Sequence, residues 1–220
     1  MSHLASLVYV HILLMVFWIG ADIGVFIAGL RFMDPKLSLE HRTAVISLGM
    51  VIDRYPRVCF VAMVPVGLQI SFFLGLVPGL TGGLLTLVWA LCGVWMATVI
   101  AAMVLSGKPG ARAWHAVERC FHVAGLLIFS GLGIAALSGR ISVPAWLAGK
   151  FIAYGAICLF AMLLESAFAP VIATFGSIAT QGSTPEREAS LRRNMLWTYA
   201  WVLGIYAAVL ICGFLGTVKP

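Results

Sequence analysis

The chain has 220 residues, 62% of them hydrophobic and 10% charged, with a formal net charge of +6. A soluble domain carries roughly 25% charged residues, so this composition excludes an ordinary soluble fold and points to an all-α, polytopic membrane bundle forming one domain in the lipid bilayer. The excess of Lys and Arg suits membrane topology; no basic face would stand clear of lipid, and no nucleic-acid partner is expected.

A helix needs about 20 residues to cross the hydrocarbon core, and six segments are long enough. The spans are Leu4–Leu30, Cys59–Leu80, Leu84–Leu105, Ala116–Leu137, Trp146–Phe175 and Met195–Gly216. The first is too long for a signal-peptide core and lacks a basic start, so it is read as a transmembrane helix. The stretch LSLEHRTAVISLGMVIDRY before the second span is amphipathic, and it either lies along the interface or extends the second helix. The fifth span exceeds what a crossing requires, so it is tilted or continues past the membrane. Before the sixth, Ser183 or Thr184 followed by Pro185, Glu186 and Glu188 is a helix-start signature and predicts an extension of that helix.

Eleven of the fourteen Lys and Arg residues fall in the first, third and fifth loops, and only Arg140, Lys150 and Lys219 fall on the other side. By the positive-inside rule those three loops are cytoplasmic and both termini face outward, as expected for a bacterial inner membrane. The five cysteines form no C-x-x-C pair and read as small apolar packing residues.

An ionisable side chain inside lipid is costly and marks a candidate site. On the first span His11, Met15, Trp18 and Asp22 share one helix face; on the fifth, Lys150, Tyr154, Cys158 and Glu165 do so. These two spans run in the same direction, which matches His11 with Lys150 in depth, and Asp22 with Glu165 nearer the cytoplasm. Each polar residue also has a plain reading. Lys150 can snorkel to the interface and His11 can be a packed interhelical histidine. Asp22 and Glu165 can pair with Arg54 or Arg57 or, alternatively, carry protons or ions.

The fourth span opens with His115 and His122. Seven residues separate them, a rise of about 10.5 Å, so the two cannot share one ion. His122 is the deeper and the better ligand candidate, whereas His115 and His41 belong to the interface.

Three motifs occur in order: His11, Trp18 and Gly20 as H-x6-W-x-G; RYPRVCFVAMVPVG with Arg57, Pro65 and Gly67; and Trp146, Leu147 and Lys150 as W-L-x-x-K. This combination resembles the superfamily of HemJ-type protoporphyrinogen oxidases and CopD-type copper-resistance membrane proteins. It covers the first, second and fifth spans, about half the chain; the HemJ-type pattern has four helices with the lysine helix third, whereas here the third and fourth spans intervene before it. The resemblance implies haem b near His11, with Lys150 beside the iron or a propionate and Met15, Trp18 and Tyr154 in the pocket. A second haem at His122 would complete an electron path.

The leading expectation is therefore a haem b membrane redox protein, acting with a quinone, a porphyrin or a redox protein. His11 and His122 are the candidate metal ligands, with Asp22 and Glu165 handling protons. The alternatives are copper or other ion transport without haem, and a non-catalytic subunit of a homo-oligomer or larger membrane complex.

Overall fold

The computed structural model describes residues 3–105, 108 and 110–220. Seven helices follow in order: α1 His3–Phe32, α2 Leu39–Ile52, α3 Arg54–Phe73, α4 Gly82–Val104, α5 Ala111–Leu137, α6 Ala145–Gln181 and α7 Pro185–Val218. With α2 and α3 taken together, six stretches are long and apolar enough to cross a membrane.

Prolines and glycines set the breaks. Pro56 has no N–H to give the Ile52 carbonyl, and the chain turns at Asp53 before α3 begins. The amphipathic stretch is thus an extension of the second crossing. It packs upright along α1, with Gly49 against Ala28 and Ile52 against Gly24. The second span ends at Phe73 rather than Leu80, because Gly75 and Gly79 take left-handed backbone (φ +63° and +84°) that turns the chain. Thr81 then caps α4 by accepting the Leu84 N–H. Thr184 is the cap of α7, accepting the Arg187 N–H, with Pro185 in the first turn.

Neighbouring helices follow a ring, α1–α3–α4–α5–α6–α7 and back to α1. Small residues bring α5 and α6 close together: a Cβ on Gly125 would meet the Cys158 sulfur at 2.8 Å, and one on Gly133 the Ala148 carbonyl oxygen at 2.8 Å. Such positions let membrane helices approach backbone to backbone. The middle of the bundle is filled by Trp18, Phe60, Val64, Trp95, Ile157 and Val209.

The 37 residues of α6 reach about 55 Å at 1.5 Å per residue, well past a core of about 30 Å. Beyond the reach of α4 and α5, the ends of α1, α2, α6 and α7 form a second core around Phe32, Val171, Leu191 and Met195. Arg42 is locked into this extension, 2% exposed. It donates to the Phe32 carbonyl (2.9 Å) and to both Glu188 oxygens (2.8 and 3.0 Å).

Both termini emerge at one end of the bundle, where the Lys219 ammonium lies over the Trp146 ring at 5.5 Å. The opposite end carries the basic loops, and we refer to these as the termini end and the basic end.

Candidate functional site

Three glycines notch the helices at the termini end. A Cβ on Gly67 would stand 3.1 Å from His11 Cε1, one on Gly213 would stand 3.2 Å from Met15 Sδ, and one on Gly216 would stand 2.9 Å from Lys150 Nζ. The α3 and α7 backbones therefore make room for the polar faces of α1 and α6. The result is a cavity of about 300 Å³ lined by His11, Met15, Trp18, Lys150, Tyr154 and Cys212 among mostly apolar side chains. Its volume is at the lower end of ordinary ligand pockets, about 300–1,000 Å³. The rim includes the exposed side chains of Val8, Ile12 and Leu74, so it opens towards the lipid side of the bundle. Of the eight residues that the sequence grouped on the first and fifth spans, His11, Met15, Trp18, Lys150 and Tyr154 meet here, while Asp22, Cys158 and Glu165 do not line the cavity.

Trp18, 5% exposed, closes the inner end of the cavity. The Tyr154 hydroxyl donates to the Phe60 carbonyl at 3.0 Å, which fixes its ring. Pro65 leaves the neighbouring Val61 carbonyl without its helical donor, so α3 is locally weakened beside the cavity.

The electrostatics of the cavity are one-sided. Lys150 has His11, Cys212 and Lys219 as its charged or titratable neighbours, and among the described residues it makes no ion pair. The buried Nδ1 of His11 has no hydrogen-bond partner. A buried polar atom without a partner costs roughly 1–3 kcal/mol, and an unpaired ammonium beside it adds to that. An anion or an electron-pair acceptor entering the cavity would relieve both.

His122 is not part of this cavity. It is buried with its ring stacked on Phe60 (5.6 Å) and edge-on to Trp95 (5.6 Å), and its Nδ1 donates to the Glu118 carbonyl at 3.0 Å. His11 and His122 are therefore two separate imidazoles, one lining the cavity and the other packed against Phe60. Among the described residues, no three His, Cys, Asp or Glu side chains are arranged to hold a metal ion.

A second polar region lies at the basic end. Arg57 pairs with Asp53 at 2.6 Å and with Glu118 at 3.6 Å. Glu165 pairs with Arg119 at 3.2 Å and faces His115 at 3.5 Å, and His115 lies 3.7 Å from Glu118. The expected pairing of Glu165 with Arg54 or Arg57 is not formed: α5 stands between α3 and α6 and supplies Arg119 instead. Asp22 makes no ion pair among the described residues, though Asp53, Arg57 and Tyr206 are near it. His115 belongs to this network rather than to the interface alone, while His41 is exposed and shares a 2.6 Å hydrogen bond with Ser38.

Sequence reasoning missed Glu118, Asp53 and Cys212. Asp53 and Arg57 have the one-turn spacing of a helical ion pair, and Glu118 stands one turn before His122, so two of these had a readable signal. Cys212 had none, because its place depends on which helices meet, and Gly67 was singled out only as part of the second motif, not as the neighbour of His11.

No protein-family model matches the chain, and neither a curated protein nor a solved structure is significantly similar to it.

Proposed function

We propose that this chain is an integral membrane redox protein that holds haem b in the cavity at the termini end. The observation that carries the reading is the meeting of an unpartnered imidazole and an unpaired ammonium in one apolar cavity. The donor set suits the group: an imidazole nitrogen for iron, a cation for a propionate, and aromatic and aliphatic walls. The W-L-x-x-K and H-x6-W-x-G motifs, whose resemblance to the HemJ/CopD superfamily suggested haem, contribute His11, Trp18 and Lys150 to these walls.

When bound, the haem would supply one-electron chemistry. The chain's own residues would do the rest. His11 would hold the iron, with Gly67 leaving space for its ring. Lys150 would neutralise a carboxylate that apolar walls would otherwise exclude. Met15 and Trp18 would keep water from the inner face, and Tyr154, tied to the Phe60 carbonyl, would keep the α6 wall in register. The lipid-side rim gives access to an apolar partner such as a quinone or a porphyrin. The positive-inside rule puts the basic end in the cytoplasm and the cavity in the outer half of a bacterial inner membrane.

Copper handling is the second reading, favoured by one observation: Met15 and Cys212 line the same cavity as His11, and soft donors suit copper. Purified protein from haem-replete cells separates the two. Haem b near one per chain, with a reduced-minus-oxidised α-band that Lys150→Met weakens, supports the proposal. A colourless protein overturns it, and bound copper in that protein moves the assignment to the second reading.

A further inference from the structure

The cavity and the basic-end network are separated by a layer of rings. Phe60 is its centre: Trp18 of α1 and Trp95 of α4 meet it edge-on at 5.4 and 5.3 Å, while Tyr154 of α6 and His122 of α5 lie parallel to it at 5.1 and 5.6 Å. Five of the six crossings thus contribute a ring at one depth. Phe60 itself is 7% exposed.

Polar groups lie on both sides of this layer and reach it. From the basic end, Arg57 is one turn below Phe60 on α3, and Glu118, 5% exposed, is one turn below His122 on α5. From the termini end, the cavity descends to Trp18 and Tyr154. Buried polar atoms without a hydrogen-bond partner among the described residues include His11 Nδ1 in the cavity, Trp95 Nε1 in the layer and, in the network, His115 Nδ1, which has only a 3.5 Å approach to Glu165. Buried groups of this kind are uncommon in folded proteins and call for an explanation. Here one lies in the cavity, one in the ring layer and one in the network beyond it.

We propose that the bundle contains a proton path interrupted only at Phe60, with Glu118 as its proton-carrying group on the basic side and the ring layer as its barrier. An apolar constriction closes a path by excluding water, and a charge crossing it meets the full cost of leaving water. In the resting protein Phe60 keeps the two polar regions apart, so the membrane stays sealed although ionisable groups reach both sides of its middle. The path uses no cofactor and is independent of whether haem occupies the cavity.

The test is proton entry into liposomes that enclose a pH-sensitive dye and contain the full-length protein, driven by a potassium diffusion potential. The wild type should stay tight. Phe60→Ala should raise proton entry about tenfold or more, the effect of removing about 1.4 kcal/mol of barrier, and adding Glu118→Gln should return most of that gain. Phe60→Leu, which keeps an apolar plug, should stay tight. Trp95→Ala opens the layer from α4 and carries the same test should Phe60→Ala fail to yield monodisperse protein. Tight Phe60→Ala and Trp95→Ala proteins, or a leak that Glu118→Gln leaves unchanged, would overturn the proposal.

Discussion

The two polar regions of this bundle use the same kinds of residue in opposite ways. At the basic end, Arg42 meets Glu188, Arg57 meets Asp53 and Glu118, and Arg119 meets Glu165. At the termini end, Lys150 has a lysine and a histidine for neighbours, and His11 Nδ1 has no partner. Removing one partner of the buried Arg42–Glu188 pair leaves a charge that must still be desolvated, so the basic end resists change there, while the Arg57 and Arg119 side chains, 40% and 55% exposed, are screened by solvent. The termini end already bears that cost and would shed it on binding. Satisfied charges thus mark the part that holds the fold together, and on the proposed function the unsatisfied ones mark the part that would bind.

The sharpest way to break this comparison is at Arg42. Glu188→Ala leaves a buried guanidinium with the Phe32 carbonyl and the Phe32 and Phe175 rings but no anion, and about 3–5 kcal/mol of stability should be lost. Thermal unfolding in detergent reads this, and Arg42→Met with Glu188→Leu should recover most of the loss. A single variant as stable as the wild type would mean that the extension does not depend on the pair.

Filling the notch under His11 comes next. Gly67→Leu drives a side chain into the imidazole, which should cost about 1–3 kcal/mol through overpacking and abolish haem retention. Gly93→Leu is a control, since a Cβ there meets nothing within 4 Å. Equal haem content in the two variants would count against the cavity as the site.

Glu118→Gln should cost less, about 1 kcal/mol. The Arg57 side chain is 40% exposed and keeps Asp53 as a partner, so solvent screens the loss. Smallest of all is Lys150→Met. Removing an ammonium that has no anion should change the stability of the haem-free protein by less than about 1 kcal/mol, while lowering its affinity for added haemin. If Lys150→Met destabilised the protein as much as Glu188→Ala does, the distinction between the two ends would fail.

Much of the fold was readable because bilayer thickness imposes helix length and hydropathy. All six crossings, the Thr184–Pro185 start of α7 and the continuation of α6 past the membrane follow from local chemistry. The shared faces of His11, Met15 and Trp18, and of Lys150 and Tyr154, were also readable, since 3.6 residues per turn fixes them. Which helix faces which was not. Of the two readings of Glu165, pairing with the α3 arginines is not what forms, since nothing local says that α5 lies between α3 and α6 and brings Arg119 to it. The Arg42–Glu188 pair joins residues 146 apart in the chain, and nothing in the Gly67 motif says that His11 stands against it.

The central claim is that His11 presents a ligating nitrogen to a cofactor in the termini-end cavity. Its most direct test is His11→Gly purified from haem-replete cells, with absorbance spectra recorded before and after imidazole is added. The account predicts that the wild type shows a haem b α-band, that the variant loses it, and that imidazole with haemin restores it by occupying the vacated space beside Gly67. A variant whose spectrum matches the wild type, or a wild-type protein that binds no haem, would contradict it.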